Sequence, residues 1–228
     1  GPNDVAARGN FCTVDENGVI TDRRAGRIPT EEGQRLCNLL KEKIDLPGVE
    51  LFLEPEKEYR FVFVMRGEGL DGHVSDTDPQ AVGKKAHIAE AQKPEAEKMA
   101  ELVREFVRQG NEILKNEHPA NGFVLRGFAG MPKWPKFNNI WGLDSVAIAM
   151  YPMYRGVAKV VGMTVLPPAE SMSEEVDMLE KHWNDHDFFF VHIKKTDSYG
   201  EDGNFDGKVG IIEEVDALIP RIMALNPD

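Results

Sequence analysis

Residues 188–208, FFFVHIKKTDSYGEDGNFDGK, run from an uninterrupted apolar segment into an acidic, glycine-rich one. An apolar run of this length, bounded by turn residues, reads as a strand over 187–194 buried on both faces, as in a parallel sheet. Strand ends are where α/β proteins gather backbone donors, helix N-termini and polar side chains beside a rigid sheet. Four carboxylates follow this strand, Asp197, Glu201, Asp202 and Asp206, and such a cluster points to a metal.

The cluster can be read in two registers. Asp202, Asn204, Asp206, Gly207 and Glu213 match the DxNxDG…E spacing of a calcium loop, but that loop needs an incoming helix and here it follows a strand. Asp197 and Glu201 stand four residues apart at the strand end, suited to bridging or flanking one hard divalent ion. His182 and His186 have the spacing of two zinc ligands on a helix, yet Trp183 and Asn184 supply no general-base glutamate, so surface histidines are expected.

Upstream, alternating apolar residues around Glu16-Asn17-Gly18 predict a hairpin over 11–28. Thr30 reads as the N-cap of a helix carrying Leu36, Leu39, Leu40 and Ile44. A strand follows at 58–66, then a long polar loop from Leu70 to Gly83 with His73, Asp76 and Asp78. Pro94 opens a helix with Met99, Val103, Phe106 and Leu114 at 3.6-residue spacing. Strands at 122–126 and 145–150 and helices from about 155, over 174–183 and at the C-terminal end complete an α/β pattern. Pro167-Pro168 reads as the domain hinge.

The 228 residues carry a formal charge of −12, so the molecule as a whole repels nucleic acid and anionic lipid, and partners of either kind are not expected. No apolar run reaches the roughly 20 residues of a membrane helix and the first residues lack a signal-peptide pattern, which suggests a cytoplasmic protein. Cys12 and Cys37, far apart and without a neighbouring His at zinc spacing, read as reduced thiols. No nucleophile elbow, Walker loop or dinucleotide fingerprint is present, so no catalytic nucleophile is assigned. Arg8, Arg60, Arg66, Arg126 and Arg155 recur beside strands or glycines, a setting suited to gripping phosphate or carboxylate.

The stretches NDVAARGNFCTVDENGVITDRRAGRI, EYRFVFVMRGEGL, NGFVLRGFAG, AIAMYPMYRGVAKVVGM and DFFFVHIKKTDSYGEDG together resemble the cofactor-independent phosphoglycerate mutases of the archaeal type, within the alkaline phosphatase superfamily. The resemblance runs along essentially the whole chain. It implies an α/β substrate-binding domain inserted into an alkaline-phosphatase-like α/β domain: residues 1–15 a remnant of the latter, 16–167 the insertion, 168–228 a further part of the phosphatase-like domain. It implies interconversion of 3- and 2-phosphoglycerate in glycolysis through a phosphoserine, with divalent manganese or magnesium and without 2,3-bisphosphoglycerate.

By position, Asp197 matches the aspartate of the family's DxxxH metal motif, while Glu201 stands where a histidine is usual, which favours magnesium or manganese over zinc. The five arginines fall in matching stretches and become the substrate-grip candidates. The segments that bear the family's nucleophilic serine and its Asp-His-Ser motif are not matched, and Gly1-Pro2 reads as a cloning remnant, so the chain alone is expected to lack mutase activity. A metal-dependent phosphatase of the same superfamily and a calcium-binding or interaction module are the alternative readings.

Overall fold

A computed structural model of the chain describes residue 1 and residues 3–226; Pro2, half of the supposed cloning remnant, and Pro227 and Asp228 lie outside the described residues. The chain divides into two compact units, Gly1–Pro132 and Lys133–Asp228. The sequence reading places boundaries at 15/16 and 167/168, and strand pairing explains the difference. Asp4–Val14 is a central strand of the first unit, so the first fifteen residues belong to that unit's sheet. Ser145–Ala149 and Phe188–His192 pair with each other, so residues on both sides of Pro167-Pro168 share the second sheet.

The first unit comprises β1 (Asp4–Val14), β2 (Ile20–Asp22), α1 (Thr30–Lys43), β3 (Glu50–Pro55), β4 (Arg60–Arg66), α2 (Glu97–Leu114) and β5 (Gly122–Gly130). The strands form an antiparallel sheet in which β1 lies between β5 and β4, β3 flanks β4, and β2 folds back on the end of β1. Alternation decides the faces: Val5, Ala7 and Phe11 of β1 and Phe61, Phe63 and Met65 of β4 are buried in one core with Leu36 and Leu40 of α1 and Met99, Val103 and Phe106 of α2. The ring of Phe63 lies 4.8 Å from that of Phe106, which lies 5.1 Å from Phe123. Gly9 admits the Phe61 ring so closely that a Cβ there would fall 2.2 Å from it. Thr30 is the first residue of α1 rather than its cap; its hydroxyl accepts from the backbone N–H of Glu58 at 3.1 Å, tying the helix start to the β4 entry.

The second unit comprises α3 (Phe137–Trp141), β6 (Ser145–Ala149), α4 (Pro152–Val160), β7 (Thr164–Val165), α5 (Met172–His182), β8 (Phe188–His192), α6 (Lys195–Glu201) and α7 (Phe205–Ala224). Its sheet is parallel, in the order β7-β6-β8. All five residues of β6 are buried. β8, expected to be buried on both faces, is instead an edge strand of the described residues and only half-buried, because no strand lies on its outer side.

The acidic segment after β8 is mostly helical, not a loop. Asn204 caps α7, its side chain accepting from the N–H of Gly207 at 2.9 Å, and Asp206 and Glu213 lie within that helix, about two turns apart. A calcium loop must wrap its ligands around the ion, so the calcium register is excluded by this geometry.

Candidate functional site

The face of the first sheet opposite its core carries the arginines. Register sets Arg8 of β1 directly opposite Arg126 of β5, and Asn10 of β1 opposite Arg60 of β4. Arg8, Arg60 and Arg126 therefore share one face, and Val62, opposite Arg8, is exposed there. A bulge shapes this arrangement: Gly127 and Phe128 of β5 span the interval that Ala7 alone fills on β1. Gly127 sits at φ 70°, a left-handed conformation that glycine adopts without strain, and the bulge re-aims Arg126 at the rim of the sheet.

One carboxylate is built into the cluster. Asp78 is buried, and its Oδ2 accepts from Nη2 of Arg23 at 2.9 Å and lies 3.9 Å from Nη1 of Arg126. The long loop brings it there by adding itself to the edge of β5. The Thr77 N–H donates to the Leu125 carbonyl at 2.9 Å, the Leu125 N–H donates to the Thr77 hydroxyl at 2.8 Å, and the Gly127 N–H donates to Asp76 at 2.7 Å. Beside it a cavity of about 550 Å³ is lined by Asp76, Asp78, Gln80, His87 and Gln92. Arg23 is delivered by a turn in which Asp22 accepts from the N–H groups of Arg24 and Gly26.

Arg8 makes no ion pair among the described residues; its Nε reaches Asn10 at 3.4 Å. Burial of its charge, and then the neighbouring guanidinium groups of Arg126 and Arg60, hold its pKa below the usual arginine value. Arg60 lies 3.8 Å from Glu56. A guanidinium whose charge is disfavoured by burial and by like charges is stabilised by an anion placed among them.

The remaining candidates fall elsewhere. Arg66, on the same strand as Arg60 but at its far end, is held by Asp4 at 2.7 and 3.0 Å and lies over the Phe52 ring at 4.8 Å. Arg155 belongs to the second unit, where its Nη1 donates to the carbonyls of Ala149 at 3.1 Å and Leu166 at 2.7 Å, bracing β6 against the end of β7. Arg23 and Asp78 were not among the sequence candidates, although both lie in polar stretches, DRRAGR and SDTDP, whose density of charge beside turns is a legible signal.

In the second unit, Asp197 and Glu201 stand one turn apart on α6, so they lie on one helix face. Asp197 is ion-paired with Lys194. Their oxygen donors suit a hard divalent ion, but among the described residues no three His, Cys, Asp or Glu groups come together as a ligand set. The pair fits as part of a metal site only. His182 and His186 are engaged through Nδ1 with Asp185 at 3.0 Å and Asp144 at 2.8 Å. Both cysteines are free, and burial pushes each thiol up to about 12, which makes them inert at neutral pH.

Comparison with known proteins identifies the family. The profile of the 2,3-bisphosphoglycerate-independent phosphoglycerate mutase family matches residues 1–121, more than half of the chain. The chain belongs to this family. The profile of the metalloenzyme superfamily matches residues 62–228. A relative from Aquifex aeolicus, named "Probable 2,3-bisphosphoglycerate-independent phosphoglycerate mutase", is 47% identical over 99% of the chain and 58% of its own length. One of the same name from Thermotoga neapolitana is 49% identical over the whole chain and 57% of its own length. The chain thus spans somewhat over half the length of these curated relatives. The solved cofactor-independent phosphoglycerate mutase from Thermoplasma acidophilum superposes with a TM-score of 0.67 at 25% identity, covering 96% of this chain and 60% of that one. A protein from Pyrococcus horikoshii shares the fold at 24% identity and a TM-score of 0.70, over 98% of this chain and 55% of its own. No helix among the described residues is long and apolar enough to cross a membrane.

Proposed function

We propose that the protein containing this chain is a cytoplasmic, metal-dependent phosphoglycerate mutase, and that the arginine face of the first unit binds the anionic groups of phosphoglycerate. The observation that carries the reading is Arg8, set beside Arg126 and Arg60 without an ion pair of its own. Arg8 and Arg126 grip one anionic group of the substrate, Arg60 reaches a second, and Asp78 holds Arg23 and Arg126 in place between substrates. Arg66 and Arg155 then serve the structure rather than the ligand.

Asp197 and Glu201 contribute oxygen ligands to a manganese or magnesium ion, completed by groups not assigned in this chain. Such an ion, when bound, neutralises charge on the phosphoryl group in transit. The 228-residue chain is expected to bind phosphoglycerate without turning it over, and turnover by the purified chain would refute that.

Calorimetric titration of 3-phosphoglycerate into the chain tests the binding half. Arg8→Gln or Arg126→Gln should weaken binding by about tenfold each, in line with the loss of a charge-assisted contact, and Arg66→Gln should not. Equal effects from all three would overturn the assignment. In the whole protein, the ratio of mutase to phosphatase turnover on the same substrate decides between the two phosphoryl-transfer readings.

A further inference from the structure

Glu175 lies in the first turn of α5 and is 1% exposed, a burial rare for a carboxylate without a partner. Both of its oxygens are sealed from solvent and neither has a hydrogen-bond partner of good geometry. The one group that favours its charged form is the backbone N–H of Met150, immediately after β6.

The charged side chains around it are committed elsewhere. On α5 itself, Glu174 accepts from the Glu170 N–H, while Asp177 and Glu180 hold Arg221 of α7, the cation that reaches α5. β6 contributes no titratable residue, Arg155 of α4 is bound to the Ala149 and Leu166 carbonyls, and His192, paired in register with Ala149, stacks on Tyr154. No ion pair reaches Glu175 among the described residues.

We propose that Glu175 is a proton-linked weak point of the second unit: neutral, it sits buried at the start of α5 without an unpaired charge, and its ionisation with no cation to meet it loosens that junction. The backbone N–H that faces it belongs to Met150, next to Ala149, whose carbonyl holds Arg155, so ionisation of Glu175 bears on the end of β6. This effect does not depend on what the arginine face of the first unit binds.

Burial alone accounts for a carboxyl pushed up to about 7 from the ordinary 4.5. A raised folded-state pKa fixes the sign: the favourable contribution is complete below about 4.5 and is lost as pH rises through about 7. At saturation such a shift corresponds to a change in the unfolding constant on the order of a hundredfold.

All three tryptophans, Trp134, Trp141 and Trp183, lie in the second unit, so tryptophan fluorescence follows its unfolding within the intact chain. Urea titrations from pH 5 to 8.5 should show the wild type losing stability toward the hundredfold range, and Glu175→Gln, a neutral near-isostere, should flatten that profile. Glu170→Gln, which removes an exposed carboxyl, should leave it unchanged. Isotope-edited infrared or carbon NMR titration of the glutamate carboxyls should show one group titrating near neutrality in the wild type and none in Glu175→Gln. Parallel pH profiles for wild type and Glu175→Gln, or every glutamate titrating below about pH 5, would overturn the proposal. If Glu175→Gln does not fold, the carboxyl titration of the wild type still decides it.

Discussion

The two units solve the problem of burying a sheet differently. In the first, two helices close one face of an antiparallel sheet over an interlocked set of phenylalanines, and the other face is left for charge. In the second, a three-stranded parallel sheet ends at β8, Phe188 is exposed at that edge, and α7 exposes Phe205, Ile212, Ile219 and Met223 while burying only Ile211. The difference teaches where each unit keeps its chemistry. Antiparallel strands put side chains of adjacent strands in register, so a flat charged patch can be assembled mid-sheet. Parallel strands gather their polar groups at their C-terminal ends, where Glu175, Arg155 and His192 sit and where α6 begins.

The contrast is broken most directly by emptying the first core. Phe106, fully buried between Phe63 and Phe123, should cost about 3–5 kcal/mol when replaced by alanine. Unfolding followed by circular dichroism should then show an early transition that tryptophan fluorescence, confined to the second unit, does not follow. Coincident transitions by both probes would mean that the units unfold as one, and the contrast would be geometric but not energetic.

A middle-sized effect is expected on the charged face. Asp78→Asn keeps the volume but removes the buried countercharge of Arg23 and Arg126, at a cost of about 1–3 kcal/mol. Because the loss leaves positive charge uncompensated, inorganic phosphate should raise the melting temperature of this variant by more than it raises that of the wild type. An equal or smaller gain would show that Asp78 is a packing residue and not the resident counter-ion of an anion site.

How much of this was legible in the sequence follows from the same physics. Elements with a periodic apolar face, such as α2, and turns with an obligatory conformation, such as Gly18 at φ 74°, are local and were read correctly in kind. β3 was missed because its six residues end in Glu54-Pro55, a polar finish that looks like loop until β4 pairs with it. The 188–194 run gave the strand but not its place at an edge, since an apolar composition records what a strand can bury and not which neighbours this chain supplies. The site divides in the same way. That arginines beside glycines suit an anion could be read from composition, whereas setting Arg8, Arg60 and Arg126 apart from Arg66, which shares their face, depends on its far position on β4 and its pairing with Asp4, and the partnership of Asp78 with Arg23, 55 residues apart, depends on a loop docking on a sheet edge.

The smallest expected effect tests the other half of the contrast. If the apolar residues on α7 contribute little to the chain's own stability, replacing Met223, which is 61% exposed, with serine should change the stability of the second unit by no more than about 0.5 kcal/mol. Serine also lowers helix propensity slightly, so the measured value bounds the packing contribution from above. Ile211→Ser, one face away on the same helix and buried, should cost several times more, because it removes apolar contact and leaves a hydroxyl without water. Fluorescence-monitored urea unfolding of the pair is the measurement. Similar losses from both variants would show that α7 buries its outer face in solution, and the second unit would then be packed as fully as the first.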